Sequence, residues 1–370
     1  MGELALYRKY RSADFSEVIG QTHIVRALTA ALSSGRIRHA YLLTGPRGVG
    51  KTSVARLLAR ALNCTGEPKP CNKCQNCLTA LGASPDVIEM DAASNRSIDS
   101  IRDLREKVNL APTSGKYKIY IIDEVHMLTT EAFNALLKTL EEPPAHAIFI
   151  LATTEAHKLP ETIISRTQVF SFSAISEKDL VARLGDIAER EKIEAEPEAL
   201  RLIASVARGG FRDAISLLDQ MAGSSPKITA TDVRELLGYT AAEEIAALAR
   251  ALAASDTAAA LSVTSRLEAA GAQAGLVATQ LAELWRAALL AGAGAAPAAD
   301  PVAAELAKTT PARRIAGIIS ALIEVTKSPW PQLALEATVA TLTSPEAPAE
   351  VSAPAPRPVK TVKAEAPVKA

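Results

Sequence analysis

Five short, mostly apolar runs, alternating with segments of helical periodicity, organise the first half of the chain. The runs occupy residues 41–43, 87–90, 118–122, 147–152 and 169–172. Residues 52–63 place Val54, Leu57, Leu58 and Leu62 at helical spacing. Apolar runs of this length are typical of strands covered on both faces, and their alternation with helices favours βαβ units. We therefore predict an α/β domain built on a five-stranded parallel sheet.

The second half of the chain carries helical patterns of a different composition. Ser176, followed by Asp179, is a capping-box pattern that begins a helix and marks a domain boundary. Residues 176–240 predict short helices that form a small lid domain, whereas residues 241–342 predict alanine- and leucine-rich helices. We interpret the latter as an all-α collar for oligomerisation, with an independent helical bundle as the alternative.

The final segment, residues 343–370, is rich in proline, alanine and lysine and lacks periodicity. This composition predicts a disordered linker. We interpret the sequence as a truncated or short form of a longer protein. The predicted domains are therefore 1–175, 176–240, 241–342 and 343–370.

A glycine-rich loop lies between the strand predicted at 41–43 and the helix predicted at 52–63. It contains, in order, Gly45, Pro46, Arg47, Gly48, Val49, Gly50, Lys51 and Thr52, and fits the pattern G-x-x-x-x-G-K-[ST]. The glycines let backbone N–H groups surround a triphosphate, Lys51 reaches its β- and γ-phosphates, and the Thr52 hydroxyl ligates Mg²⁺. Because the loop opens a helix whose N-terminus favours anions, we predict an ATP and Mg²⁺ site and not a chance match in a turn.

Two adjacent acids follow the run at 118–122, at the end of a strand where open parallel sheets bind their ligands. We predict that Asp123 holds Mg²⁺ and that Glu124 polarises the water that attacks the γ-phosphate. Thr153 and Thr154 end the next apolar run, and a hydroxyl there would reach the attacking water or the γ-phosphate. Threonine is common in strands, so this signal is weaker than the acid pair.

All four cysteines of the chain lie in one segment with the spacing C-x₆-C-x₂-C-x₂-C. They are Cys64, Cys71, Cys74 and Cys77. Four thiolates close together satisfy tetrahedral Zn²⁺ and leave no exchangeable position, so we predict a structural zinc module over about residues 62–80. Two disulfides or a redox-active pair are the alternatives, although the setting of a thioredoxin-like motif is missing. The spacing does not show whether the module contacts a partner or stiffens an insertion.

Composition narrows the range of partners. The 370 residues carry 41 basic and 41 acidic side chains, so the chain has no strong overall field to attract nucleic acid. Aromatic residues make up 4%, too few for a base-stacking platform. No apolar run reaches about 18 residues and no signal-peptide pattern is present, which predicts a cytoplasmic protein without membrane contact.

One local basic pattern is a candidate for DNA contact. Arg96, Arg102 and Arg105 lie on a helix predicted over residues 94–108. Arg102 and Arg105 share a face of that helix, as phosphate-binding arginines would. Acidic residues interleave with them, so ordinary ion pairing along the helix explains the pattern equally well.

Further motifs follow the glycine loop, the cysteines and the acid pair in a fixed order. These later motifs occupy residues 137–144, 152–154, 165–166 and 210–213. One more motif, residues 18–21, precedes the glycine loop. This order resembles the AAA+ ATPases of sliding-clamp loaders, and within them the gamma/tau subunit family of bacterial DNA polymerase III. The resemblance covers residues 4–240 motif by motif and 241–342 by position and helical character. It implies an AAA+ P-loop NTPase domain with a zinc-module insertion, followed by a helical lid and a helical collar.

The resemblance assigns further residues to the nucleotide site. The segment that packs around adenine is matched by Tyr7, Arg11, Val18 and Ile19. Arg166 matches an arginine finger that reaches the ATP of the neighbouring subunit, although here Thr167 replaces the cysteine of that motif. Arg212 matches a second sensor arginine, which approaches the γ-phosphate of its own subunit. From the residues alone, surface ion pairing explains either arginine.

The resemblance also implies a function, that of an ATP-hydrolysing motor subunit of the replicative clamp loader. The subunit would work within the DNA polymerase III holoenzyme, an assembly of the DNA-directed DNA polymerase class, and associate with the nucleoid. It would open the ring-shaped sliding clamp and load it onto primed template DNA. Implied partners are the delta and delta-prime subunits, further copies of the chain, the clamp and primer–template DNA, bound without sequence preference. A longer tau form would also bind the polymerase and the helicase.

Three other classes of protein are alternatives to the motor subunit. The first alternative is a non-hydrolysing structural loader subunit. Such a subunit would not need the residues that bind and hydrolyse ATP, and their presence argues against it: Lys51, Thr52, Asp123 and Glu124. A different AAA+ remodeller does not explain the cysteine insertion and the collar. A P-loop kinase would need a binding site for a phosphate acceptor, and the sequence shows no such pattern.

Overall fold

Two structural units divide the chain in the computed structural model, Met1–Val233 and Arg234–Ala370. The structure describes residues 5–79, 84–95, 101, 104, 106–224, 226–237, 242–297 and 300–344. The first unit has a core on each face of a sheet, and the second has a helical core of its own.

A five-stranded parallel sheet forms the centre of the first unit, which confirms the prediction from the apolar runs. Its strands are β1 (Ala40–Thr44), β2 (Val87–Asp91), β3 (Lys118–Asp123), β4 (Ala147–Thr153) and β5 (Gln168–Ser171). They follow the order β2-β3-β4-β1-β5, and every neighbouring pair is parallel. The central strands β1 and β4 are buried along their whole length. The carboxyl ends of β1, β3 and β4 meet at one edge, where the strand order reverses and such sheets bind ligands.

Helices cover both faces of the sheet. They are α1 (Leu6–Lys9), α2 (Thr22–Ser34), α3 (Lys51–Asn63), α4 (Gln75–Thr79), α5 (Thr130–Glu141) and α6 (Glu161–Ile164), with 3₁₀ turns at Phe15–Glu17, Val125–Met127 and Ala156–Lys158. Leu28 of α2 and Leu57 of α3 pack with Phe15 in the core on one face. Leu136 and Leu140 of α5 lie in the core on the other. The sheet is thus covered on both sides, as its apolar strands require.

A helical segment begins after β5. It contains α7 (Glu177–Glu191), α8 (Pro197–Val206), α9 (Phe211–Ala222), α10 (Ala230–Leu236) and a short parallel pair, β6 (Glu194–Ala195) with β7 (Lys227–Ile228). Ser176 caps α7, because its hydroxyl accepts a hydrogen bond from the backbone N–H of Asp179 at 3.1 Å. The contact pattern groups residues 176–233 with the sheet, so the boundary expected after residue 175 stays a prediction.

The second unit is all-α over the residues that the structure describes, in agreement with its alanine- and leucine-rich sequence. Its helices are α11 (Ala242–Ala254), α12 (Thr257–Ala269), α13 (Ala274–Gly292), α14 (Pro301–Thr309), α15 (Ala312–Lys327) and α16 (Pro331–Thr343). Trp285 is fully buried in its core together with Leu248 and Leu322. The helix α16 includes Thr343, the first residue of the predicted linker, and residues 345–370 lie outside the described part. Across the described residues, every helix is too short or too polar to cross a bilayer.

Candidate functional site

A cavity of about 760 Å³ opens at the carboxyl ends of the central strands. Most residues predicted for ATP line it, namely Tyr7, Arg11, Val18, Ile19, Pro46, Arg47, Gly48, Val49, Gly50, Lys51, Thr52, Asp123, Glu124, Thr154 and Arg212. Gly45, Thr153 and Arg166 are not among its lining residues. Ligand pockets measure about 300–1,000 Å³, so this cavity has the size for a nucleotide.

The glycines of the loop at residues 45–52 have backbone angles that side chains disfavour. Gly45 has a φ of 140°, and a Cβ there would lie 2.4 Å from the carbonyl oxygen of Phe172. Gly48 has a φ of 78°, and its Cβ would lie 3.1 Å from the Cα of Gly210. Gly50, with a φ of 100°, directly precedes α3. Glycine is therefore required for this loop shape.

Lys51 begins α3 and is buried, with 5% of its surface exposed. Its Nζ donates to the carbonyl oxygens of Gly45 at 2.8 Å and Pro46 at 2.7 Å. Burial lowers the pKa of Lys51, while the nearby carboxylates of Glu124 and Asp123 oppose that shift. The loop carbonyls hold the ammonium group near the two acids, at the predicted position of the phosphates.

The Thr52 hydroxyl and the Asp123 carboxylate form the candidate Mg²⁺ site. Thr52 Oγ1 donates to Asp123 Oδ2 at 2.7 Å, although the two residues are 71 positions apart. Burial raises the pKa of Asp123, and the hydrogen bond from Thr52 works against this rise. Hydroxyl and carboxylate oxygens are the hard ligands that Mg²⁺ prefers, so this pair fits the ion.

Glu124 is held by Thr154, the residue that directly follows β4. Its Oε2 accepts hydrogen bonds from the backbone N–H of Thr154 at 3.1 Å and from the Thr154 hydroxyl at 2.9 Å. The backbone of Glu124 has a φ of 47°, a left-handed value that is uncommon for a side chain of this size. Residues in such sparsely populated backbone regions concentrate at functional sites.

His126 is a site residue that the sequence reasoning missed. Its side chain is 6% exposed, and its Nδ1 lies 2.9 Å from Thr153 Oγ1 and 3.3 Å from Glu124 Oε2. Its Nε2 lies 3.0 Å from Glu155 Oε2. A signal was present, because His126 is a polar residue two positions after Glu124 in an otherwise apolar turn.

The two threonines at the end of β4 have different environments. Thr154 lines the cavity and bonds Glu124. Thr153 is fully buried, and its hydroxyl contacts His126 and accepts from the backbone N–H of Glu155 at 3.0 Å. Thr154 is therefore placed to face a bound nucleotide, whereas Thr153 supports the groups behind it.

The two candidate arginines lie in different places. Arg212 lines the cavity, and its guanidinium carbon lies 4.8 Å from the centre of the Tyr7 ring. Arg166 follows α6, outside the lining of its own cavity, and its Nη2 donates to Glu141 Oε1 at 2.8 Å. About a third of its side chain is exposed. One candidate arginine therefore borders the cavity of its own chain, and the other does not.

The cysteine cluster lies at the carboxyl end of α3. The four sulfur atoms of Cys64, Cys71, Cys74 and Cys77 are within 4.8 Å of one another, and none of the four forms a disulfide in the described range 5–79. Burial raises the pKa of Cys77 to about 12. For Cys74, hydrogen bonds from Thr65 and Cys77 outweigh the opposite effect of burial and lower the pKa to about 5. Four clustered sulfurs fit a tetrahedral Zn²⁺, which requires all of them as thiolates.

The three arginines proposed for DNA contact cannot be placed by this structure. Arg96, Arg102 and Arg105 lie outside the described residues. Their role stays a prediction from the sequence.

The parallel sheet, the glycine loop that opens α3 and the helical segment after β5 define the chain as an AAA+ P-loop protein. Three family models match it in succession. "DNA polymerase III, delta subunit" matches residues 20–176, and "DNA polymerase III clamp loader subunit, ATPase lid domain" matches residues 179–224. "DNA polymerase III subunits gamma and tau domain III" matches residues 228–349.

Curated relatives agree with the family models. The chain is 55% identical over 223 residues to DNA polymerase III subunit tau of Bacillus subtilis, covering 60% of this chain and 40% of that protein. It is 44% identical over 290 residues to DNA polymerase III subunit gamma/tau of Mycobacterium tuberculosis, covering 76% of this chain and 50% of that protein. The chain belongs to the gamma/tau family of DNA polymerase III clamp-loader subunits. It spans half or less of the length of these two relatives.

Solved structures give a more distant likeness. The Thermotoga maritima RuvB Holliday junction branch migration motor is 21% identical, with a TM-score of 0.47 over 66% of this chain and 79% of that one. A likeness at this level carries no argument about function.

Proposed function

We propose that this chain is an ATP-hydrolysing motor subunit of the replicative clamp loader, which opens the sliding clamp and loads it onto primed template DNA. The observation that carries the proposal is the convergence of Lys51, Thr52, Asp123 and Glu124 on one cavity in a member of the gamma/tau family. A structural subunit that does not hydrolyse ATP would not need these four side chains at one cavity. The reaction is hydrolysis of ATP to ADP and phosphate.

Different residues of the cavity have different roles in the proposed hydrolysis of ATP. Lys51 and the backbone N–H groups of the loop bind the β- and γ-phosphates, while Tyr7, Arg11, Val18 and Ile19 surround the adenine. Thr52 and Asp123 hold Mg²⁺, which neutralises charge on the phosphate oxygens when it is bound. Glu124 orients and polarises the attacking water, and Thr154 fixes the direction of the Glu124 carboxylate.

Two arginines complete the proposed reaction centre. Arg212 approaches the γ-phosphate from α9 of the same chain, and Arg166 reaches the site of the neighbouring subunit. Each stabilises negative charge that develops on the transferred phosphoryl group. The exposure of Arg166 and its place outside its own cavity support this division.

Structural Zn²⁺ is the ion we propose for the cysteine cluster. The partners we propose are delta and delta-prime subunits, further copies of the chain bound through residues 241–342, the clamp and primer–template DNA. DNA contact through Arg96, Arg102 and Arg105 would be independent of sequence and weakened by salt. A longer form would add contacts to polymerase and helicase, and the location would be cytoplasmic, at the nucleoid.

The proposed function is tested by steady-state ATP turnover of the chain reconstituted with delta and delta-prime subunits, with and without clamp and primed DNA. We expect strong stimulation by clamp and DNA together. ATP turnover that neither the clamp nor primed DNA stimulates would favour a different AAA+ remodeller. The absence of turnover in every mixture would favour a structural loader subunit.

Replacing His126 with alanine is expected to lower the maximal turnover rate about tenfold and to leave nucleotide affinity unchanged. The ring contacts Thr153 and lies beside the Glu124 carboxylate, so its loss removes one of the groups that position the carboxylate proposed to orient water. Turnover measured over a range of ATP concentrations separates the two effects. Because asparagine restores one polar atom near the position of Nδ1, His126→Asn should recover part of the rate. Equal losses in both variants, together with weaker ATP binding, would contradict this positioning role.

A further inference from the structure

A network of polar groups around the buried side chain of Arg60 joins the cysteine cluster to the wall of the nucleotide cavity. Arg60 lies on α3 and is 5% exposed. Its Nη2 donates to the carbonyl oxygen of Ala13 at 2.8 Å, and its Nη1 donates to Asn72 Oδ1 at 3.0 Å. Asn72 Nδ2 donates to the same carbonyl oxygen of Ala13 at 3.0 Å. Each of the residues Arg60, Asn72 and Ala13 is therefore hydrogen-bonded to the other two.

Asn72 belongs to the cysteine cluster by position and by backbone shape. It lies between Cys71 and Cys74 and has a left-handed φ of 56°, which asparagine tolerates better than most residues. Cys71 Sγ stabilises this turn, because it accepts a hydrogen bond from the backbone N–H of Cys74 at 3.3 Å. A metal bound by the four cysteines would fix it further.

Ala13 belongs to the segment that forms one wall of the nucleotide cavity. We call residues 10–19 the strap, since Arg11, Ser12, Val18 and Ile19 of this segment line the cavity. The strap is anchored in the core at Phe15. The backbone N–H of Ala13 donates to Glu17 Oε2 at 2.6 Å, so both polar groups of this residue are bonded.

A second cavity, of about 530 Å³, also borders the strap. Arg11 and Ser12 line both cavities, and Arg60 and Asn72 line the second. Arg11 and Ser12 of the strap therefore border both cavities, and Ala13 borders the second. Contacts at Ala13 support the strap from the side of the cysteine cluster.

We propose that the cysteine cluster supports the nucleotide-binding wall, with Arg60 and Asn72 as positioning residues that hold the strap at Ala13. This inference rests on the proposed function. The cysteine cluster then has a role within its own chain, because a rigid cluster keeps the Asn72 side chain in contact with Ala13 of the strap. Release of the metal frees the turn at Asn72 and weakens nucleotide binding without altering the phosphate loop.

The test measures the affinity of the full chain for a fluorescent ADP analogue, together with zinc content by a chromogenic chelator after denaturation. Asn72→Gly keeps the left-handed backbone accessible and removes the side-chain amide. We expect it to bind the analogue about threefold to tenfold more weakly, because the two hydrogen bonds of the Asn72 side chain are lost. Arg60→Lys keeps the charge but cannot bond both acceptors with one planar group, and it should show a similar loss.

Asn76→Ala is the matched control, because Asn76 lies in the same module but donates to the carbonyl oxygen of Asn63 and not to the strap. We expect its affinity to stay within about twofold of the wild type. Removal of zinc should weaken binding by the wild type more than by Asn72→Gly, since that variant has already lost the contact.

Equal affinities for the wild type, Asn72→Gly and Arg60→Lys, at full zinc content, would overturn this proposal and leave the proposed function intact. A wild-type chain that fails to bind the analogue would contradict both.

Discussion

Replacing Arg166 with alanine is expected to abolish stimulated ATP turnover while nucleotide affinity and thermal stability stay close to those of the wild type. The side chain lies outside the cavity of its own chain, so binding there should be unaffected. A missing arginine finger costs about 10³ to 10⁵ in rate. The measurement is turnover of the reconstituted assembly with clamp and primed DNA, beside titration with a fluorescent nucleotide.

The control for this experiment is Glu141→Gln. In the structure Arg166 pairs with Glu141, and the two side chains are 34% and 49% exposed. An exposed pair contributes about 0–1 kcal/mol to stability, so its loss alone should change the melting temperature very little. Glu141→Gln breaks the charge pair and keeps the arginine, and we expect it to retain turnover. Normal turnover in Arg166→Ala would instead make Arg166 a surface ion-pairing residue.

Much of the nucleotide cavity follows from local sequence. The loop at residues 45–52 requires glycine at its sharpest turns, and the structure gives Gly45, Gly48 and Gly50 the left-handed angles that only glycine adopts easily. Apolar runs mark the central strands because those strands are covered on both faces. Asp123 ends such a strand, so its place beside Thr52 follows once the sheet is parallel.

Contacts between distant segments could not be predicted in the same way. The order β2-β3-β4-β1-β5 decides which strand ends are neighbours, and no local pattern specifies it. The difference between Thr153 and Thr154 depends on the alternation of side chains at the end of β4. The roles of His126 and Arg60 depend on partners across the fold, such as Thr153 for the former and Ala13, 47 positions away, for the latter.

Replacing Lys51 with alanine is expected to reduce ATP affinity by at least about 10²-fold and to abolish hydrolysis in every assembly. The ammonium is buried at the mouth of the loop, held by the carbonyl oxygens of Gly45 and Pro46. A triphosphate in the loop would lose a buried positive partner, and removing one member of such a pair costs about 3–5 kcal/mol. That energy corresponds to roughly 10² to 4 × 10³ in Kd.

The matched control is Lys178→Ala, on an exposed position of α7. It removes the same charge from the chain and should leave ATP affinity unchanged. Titration with a fluorescent ATP analogue measures both variants, and circular dichroism melting shows whether the fold persists. Because the acids Asp123 and Glu124 lie near Lys51, its loss leaves two negative groups facing the phosphates. Retained affinity in Lys51→Ala would place the triphosphate outside the glycine loop and remove the main support for the motor function.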